Sequence, residues 1–319
     1  MEFNKGLIYK IIDNKIDILE LHHLNEQGLK TLINALKLNT SLKKINLDNN
    51  HIEDISLLCK SLKNNSCLQV LSLYNNKIEN ITPLKFLSNS CLQKLNLSYN
   101  QIKNITPLKF LSNSCLKELD LSGNQIKDIT PLKFLSNSCL EYLYLSDNCI
   151  KDITPLKSLK NKSCLKRLNL ADNKIKDISP LESLKNNSCL QSLCLSNNQI
   201  KDITSLKFLS KSCLEYLYLN NNQIEDISSL KFLSNSCLKA LYLFLNEIED
   251  ITPLKFLKNS SCLKILSLYA NKIKDITPLN FLENNFCLKY LNLYDNQLSI
   301  QDKQKIEKLT KLKHIELII

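Results

Sequence analysis

Only three glycines and one methionine occur in 319 residues, tryptophan is absent, and arginine is nearly so: of 42 basic side chains Arg167 alone carries a guanidinium. Scarce glycine excludes the phosphate-cradling loops that need several glycines close together. Scarce arginine counts against dedicated phosphate recognition, which favours the planar guanidinium fork. No run of 18 or more apolar residues exists, so no membrane-spanning helix is expected. The opening MEFNKGLIYKIIDNKIDILEL lacks an apolar stretch followed by small residues, so no secretory leader is expected and the protein is expected in the cytoplasm. There is no H-E-x-x-H helix, no C-x-x-C pair and no Ser-centred nucleophile elbow. Catalytic, cofactor and metal sites are accordingly not expected, and the chain reads as a non-enzyme.

What is present is a repeat. Cys-Leu recurs at Cys67, Cys91, Cys115, Cys139, Cys164, Cys189, Cys213, Cys237, Cys262 and Cys287, a spacing of 24 or 25 residues throughout. A fixed period of this length signals a solenoid, in which each unit buries its apolar face only by stacking on its neighbours. In the unit Cys115 to Ser138, CLKELDLSGNQIKDITPLKFLSNS, Leu119 and Leu121 alternate with Glu118, Asp120 and Ser122. That alternation predicts a short strand over 116–121. Thr130-Pro131 then predicts the start of one short helical turn. Proline at the first helical position gives up no bond the helix needs, and the threonine oxygen is expected to cap an orphan N–H. All seven prolines occupy this slot, each after Thr or Ser.

The pattern L-x-x-L-x-L-x-x-N-x-I-x-x-I-x-x-L resembles the leucine-rich repeat, and the continuation I-x-D-I-T-P-L resembles the internalin and protein phosphatase 1 regulator subtype, with longer insertions before the strand. The resemblance covers about residues 15–319. It implies an α/β fold: a leucine-rich repeat solenoid, or curved horseshoe, with a parallel β-sheet on the concave face and short helical turns on the convex face. By analogy it implies a protein partner, such as a host protein or a phosphatase. Residues 1–14 are expected to cap the solenoid, with Phe3 and Ile11 among the covering side chains. Residues 15–40 resemble a first repeat of the longer ribonuclease-inhibitor type, with a helix over 26–38. Regular repeats fill 41–286. Residues 287–319 hold the last repeats and a C-terminal cap, an amphipathic helix with Ile306 and Leu309 followed by a strand through Leu312, Ile315 and Leu317. Thirteen strands in one right-handed coil are expected.

Columns of identical residues carry separate expectations. One asparagine per repeat, Asn50, Asn76, Asn100, Asn124 and their equivalents to Asn296, should lie buried, its amide satisfying backbone where strand turns into loop. The ten repeat cysteines are expected as a ladder of small buried thiols, with Cys149 and Cys194 turned outward. The Phe column from Phe86 to Phe281 is expected to stack between turns. Asp128 and its equivalents are expected to serve loop hydrogen bonding. His22 and His23, as adjacent strand residues, should point apart and share no ion.

Charge and tyrosine decide the expected partner. The formal charge is +11. The convex lysines Lys85, Lys109, Lys133, Lys157, Lys207, Lys231 and Lys255 offer an alternative reading, binding of nucleic acid or an anionic surface. On the outward strand and turn positions, however, six basic residues (Lys44, Lys77, Lys94, Arg167, Lys174, Lys272) face seven acidic ones (Asp48, Glu118, Asp120, Asp147, Asp172, Glu247, Asp295). A near-neutral groove does not suit nucleic acid. Ten of the eleven tyrosines fall on that face. β-propensity alone tolerates tyrosine there, but solubility would have used lysine, serine or glutamate. The candidate partner-binding residues are Tyr142, Tyr144, Arg167, Tyr216, Tyr218, Tyr242, Phe244, Tyr269, Tyr290 and Tyr294. Parallel strands set equivalent residues about 4.8 Å apart. Tyr218 should therefore stack on Tyr242, Phe244 on Tyr269 and Tyr294, and Tyr142 should face the Arg167 guanidinium. The reading is a monomer without membrane association that binds a protein partner in its concave face.

Overall fold

A computed structural model describes residues 5–136, 138–159, 164–233, 237–259, 262–284 and 287–319. The chain divides into two compact units, Met1–Ile150 and Lys151–Ile319. The first holds α1 (Lys5–Ile12), β1 (Ile18–Glu20), α2 (Glu26–Leu36), β2 (Lys44–Asn46), α3 (Ser56–Ser61), β3 (Val70–Ser72), β4 (Lys94–Asn96), β5 (Glu118–Asp120) and β6 (Tyr142–Tyr144). The second holds β7 (Arg167–Asn169), β8 (Ser192–Cys194), β9 (Tyr216–Tyr218), β10 (Ala240–Tyr242), β11 (Ile265–Ser267), β12 (Tyr290–Asn292), α4 (Ile300–Leu312) and β13 (Glu316–Ile318). Between most strands runs a 3₁₀ turn such as Thr106–Leu111 or Thr130–Leu135. Within each unit the strands pair in parallel at the repeat spacing, Lys94 with Glu118 and Glu118 with Tyr142, or Ser192 with Tyr216 and Tyr216 with Ala240. This is the α/β solenoid architecture that the repeat implies.

Two periods build the core of each repeat. Leu119 and Leu121 are buried by the period of two along the strand, while Ile126, Ile129, Leu132 and Leu135 follow a period of three. Three residues per turn is the 3₁₀ geometry, which eclipses i and i+3 and so lines one edge of the turn with apolar side chains. Phe134 falls off this period. It is half-buried, as are Phe86 and Phe110, and the ammonium groups of Lys133, Lys85 and Lys109 sit 5.3, 5.2 and 5.1 Å from the three ring centres. At these positions lysine–ring contacts stand where ring-on-ring stacking was expected.

The asparagine column is buried from Asn50 to Asn271 and half-buried at Asn296, and its amides bond backbone as their chemistry requires. Asn124 Nδ2 donates to the carbonyls of Leu97, Leu121 and Ser122 at 3.0, 3.0 and 3.1 Å, and its Oδ1 accepts from Ile102 N–H at 2.9 Å. Each amide thus ties its own repeat to the one before it. The turn starts differ from expectation. No threonine or serine oxygen caps the turns that begin at Thr82, Thr106, Thr130, Ser179 and Thr204; at Thr130, Asp128 Oδ1 accepts from its N–H at 2.8 Å instead. Asn80, Asn104, Asp152 and Asp202 make the same bond, because an Asx side chain two residues upstream reaches the first free N–H.

The cysteine ladder is a correction. Cys67, Cys91, Cys115, Cys139, Cys189, Cys213 and Cys237 are exposed, whereas Cys59 is buried and Cys149 and Cys194 are only half-exposed. Each ladder cysteine directly precedes a buried leucine, and alternation along an extended segment turns it to solvent.

The ends follow their own rules. Ile11 of α1 is fully buried while Tyr9 is 66% exposed; Phe3 lies outside the described residues. Asn25 Oδ1 caps α2 by accepting from Gly28 N–H at 2.8 Å, and the helix stops at Leu36, short of the exposed Leu38. Leu312 closes α4 with 70% exposure rather than entering the last strand, where Leu317 pairs in register with Leu291; the buried Ile315 directly precedes that strand. His22 and His23 both lie beyond β1; His22 Nδ1 is 2.9 Å from the Asp48 carbonyl, and His23 has φ of 54°. Among the described residues no helix is long and apolar enough to cross a membrane.

Candidate functional site

The open face of the sheet is built from the strand positions that alternate with the core leucines. In the second unit three columns cross this face: Arg167, Ser192, Tyr216, Ala240, Ile265 and Tyr290; then Asn169, Cys194, Tyr218, Tyr242, Ser267 and Asn292; then Ser196, Asn220, Phe244, Tyr269 and Tyr294 two residues further on. Register alone therefore brings together eight of the ten candidate partner-binding residues, and Arg167 among them sits on the first strand of the unit. Tyr142 and Tyr144 lie on β6 of the first unit, both half-buried.

Two aromatic stacks form the middle of the field. Tyr218 and Tyr242 are parallel within 6° with centroids 4.8 Å apart, and Phe244 and Tyr269 are within 13° at 4.5 Å. Tyr242 meets Phe244 edge-on at 6.3 Å, which joins the stacks into one surface. Among the described residues the second stack ends at Tyr269, and Tyr294, expected to extend it, is 59% exposed. Burial and the neighbouring Tyr242 push the Tyr218 phenol above its ordinary value, while the Arg167 charge pulls it down. Burial, with Tyr290 and Tyr216, raises the Tyr242 phenol likewise. The four phenols and the guanidinium thus share one electrostatic environment. The lysines bordering them are ion-paired, Lys239 with Glu215 and Lys272 with Glu247, both at 2.9 Å. In the first unit Lys94 pairs with Glu118 at 2.8 Å, and Asp120 has its carboxyl raised, chiefly by burial.

A smaller aromatic corner occupies the first unit, where Tyr74 and Tyr99 meet edge-on at 5.4 Å. The Tyr99 ring lies over Gly123, where a Cβ would come within 2.8 Å of the ring, and Gly123 itself has φ of 63°. Glycine is required there twice over, by backbone and by space.

One member of the site escaped sequence reasoning. Leu245, next to Phe244, is 42% exposed and holds φ of 53°. The equivalent positions are mostly Asn, Asp or Gly, which tolerate the left-handed region, so a leucine in that column was a readable departure. The arrangement as a whole offers rigid aromatic area, the Arg167 guanidinium and the exposed Leu245. Among the described residues no group of three or more His, Cys, Asp or Glu side chains could hold a metal ion.

Comparisons with known proteins agree with the repeat. A leucine-rich repeat model matches residues 66–126, and a two-copy leucine-rich repeat model matches 40–86, 139–183, 165–211, 190–232 and 214–256. No curated protein matches the chain. Among solved structures, an internalin of Listeria monocytogenes, InlF, is 29% identical with a TM-score of 0.69, over 90% of this chain and 82% of its own. A leucine-rich repeat protein of Leptospira interrogans is 22% identical with a TM-score of 0.58, over 100% and 99%. The leucine-rich repeat ectodomain of the Arabidopsis thaliana receptor kinase GASSHO1/SCHENGEN3, solved in complex with CASPARIAN STRIP INTEGRITY FACTOR 2, is 20% identical with a TM-score of 0.52, over 93% and 46%.

Proposed function

The chain belongs to the leucine-rich repeat family, and we propose that it is a non-enzymatic binding module whose aromatic sheet face takes a protein partner. The observation that carries this reading is the joined pair of stacks, Tyr218 on Tyr242 and Phe244 on Tyr269, on the solvent side of the sheet. Rigid rings supply contact area at low entropic cost, and the exposed Arg167 guanidinium suits a carboxylate of the partner. Tyr216, Tyr290 and Tyr294 border the field, and Tyr142 and Tyr144 add aromatic surface in the first unit. The near balance of charge on this face favours protein over nucleic acid.

The test compares proteins retained by the intact chain with those retained by Tyr242→Ala and Tyr269→Ala variants that keep the native circular dichroism spectrum. Each substitution should weaken the interaction by about 2 kcal/mol, roughly 30-fold. Binding of the same partner unchanged by both substitutions would refute the reading. Affinity for nucleic acid that falls steeply with salt and survives both substitutions would favour the convex lysines instead.

A further inference from the structure

The cysteines that the repeat turns to solvent carry a chemistry the aromatic face does not use. Cys189 and Cys213 occupy the same position in consecutive repeats, and both are exposed. Cys213 N–H donates to the Ser188 carbonyl at 3.2 Å, the same offset at which Tyr216 N–H donates to Gln191 at 3.0 Å. That bond keeps the two coils side by side back to the cysteines, and adjacent parallel segments set their Cα atoms about 4.8 Å apart. That lies inside the range of about 4.4–6.8 Å over which disulfides form. Both residues precede the first strand residue by three positions, at Ser192 and Tyr216. The backbone there is not part of the regular ladder, so the Cβ atoms can close by the roughly 1 Å that separates the strand spacing from a disulfide's Cβ–Cβ distance of about 3.8 Å.

We propose that Cys189 and Cys213 form a thiol–disulfide exchange site that reacts with small organic disulfides of the glutathione class. One thiolate attacks the small disulfide, forms a mixed disulfide and expels one thiolate of the reagent. The neighbouring ladder thiolate then attacks the protein sulfur of that mixed disulfide and expels the second. Two electrons pass to the reagent, two thiol protons go to solvent, and one Cys189–Cys213 bond links consecutive repeats. The chain carries its own bystanders. Cys59 is buried with its thiol pushed up to about 12, and burial also raises the half-buried Cys194. Neither should react. Cys91, Cys115 and Cys139 repeat the exposed arrangement in the first unit.

The experiment incubates the intact chain with oxidised glutathione near pH 8, quenches by alkylation and maps peptides by mass spectrometry. The expected result is a cross-link between the Cys189 and Cys213 peptides with no persistent glutathione adduct on either. In a Cys164→Ser/Cys213→Ser variant the adduct on Cys189 should accumulate because neither ladder neighbour remains to resolve it. Stable adducts on both cysteines of the native chain, without a cross-link, would overturn the proposal, as would cross-linking of Cys59 in its place. The native chain decides the matter by itself even where the variant folds poorly.

Discussion

Replacing Asn124 by alanine probes how the solenoid holds its repeats together. The amide gives three hydrogen bonds and takes one, all to backbone, at 2.9 to 3.1 Å. Its neighbours share the load: the Leu97 carbonyl also accepts from Asn100 and the Leu121 carbonyl from Asn148. Truncation therefore leaves only Ile102 N–H wholly without its partner, while the carbonyls keep one donor each. An orphaned buried N–H costs about 1–3 kcal/mol, and the weakened carbonyls bring the expected loss to about 2–4 kcal/mol. Urea unfolding followed by far-ultraviolet circular dichroism measures it, with Asn75→Gly as a control. Asn75 is exposed, its side chain donates to Asn49 Oδ1 at 2.7 Å, and its φ of 51° is one that glycine accepts. The control should stay within about 0.5 kcal/mol. Asn124→Asp adds a sharper arm. It keeps an acceptor for Ile102 but sets a carboxylate against two carbonyl oxygens, so its folded pKa rises. Its stability should be best at acidic pH, where the protonated carboxyl can donate, and should fall as pH climbs from about 4 towards neutrality. A loss below about 1 kcal/mol for Asn124→Ala would refute the ladder as a source of cohesion.

Gly123→Ala should cost about 1–2 kcal/mol from the left-handed backbone alone, and more from the Tyr99 ring, 2.8 Å from the new Cβ. The cost should shrink in a Tyr99→Ala background, and an unchanged cost there would show that the ring gives way freely. Asp152, Asp202 and Asp275 have carboxyls held below the ordinary range by bonds from the hydroxyl and backbone N–H of Thr154, Thr204 and Thr277. Their contribution to stability is present above about pH 4 and is lost as pH falls through the lower folded values. The triple Asn variant, copying the natural Asn80 and Asn104, should therefore match the native chain at pH 7 and lose less in thermal melts below pH 4; coincident acid profiles would sink that account. Leu245→Asn should raise stability by about 1 kcal/mol, since asparagine accepts φ of 53° more readily, while weakening partner binding. A drop in melting temperature would mean that the leucine packs against the fold.

Much of the fold was legible because each constraint is written many times. The strand, the loop asparagine and the apolar period of the turn recur in copy after copy, so a single misleading residue such as Ser158 in the Phe column does not hide the signal. What misled was residue type taken without register. Cysteine behaves as a small hydrophobe in general, yet alternation from the buried Leu116 already turned Cys115 outward. The turn cap was a contest between two oxygens in reach, and the Asx group two residues upstream prevailed over Thr130. The stack of Tyr218 on Tyr242 was readable from spacing alone, whereas the solvent-directed Tyr294 was not, since spacing says nothing of a side chain's rotamer.

The repeats also serve as comparisons for one another. On the open face, one column runs Asn46, Ser72, Asn96, Asp120 and Tyr144 in the first unit and Asn169, Cys194, Tyr218, Tyr242, Ser267 and Asn292 in the second, all on the same three-residue strand with the same buried leucine or isoleucine between. The backbone forms equally well with a serine, a thiol, an amide or a phenol there, so the fold imposes no ring at that position. Burial does not select the ring either: Ser267 is buried at this position, while Tyr218 and Tyr242 are only half-buried. Yet Tyr218, Tyr242, Phe244 and Tyr269 come from three adjacent strands, and Leu245 beside them accepts a backbone conformation that asparagine or aspartate fills in most other copies. Equivalent strands thus carry different side chains on this face, and the aromatic ones gather into a contiguous field, which supports the proposed partner surface.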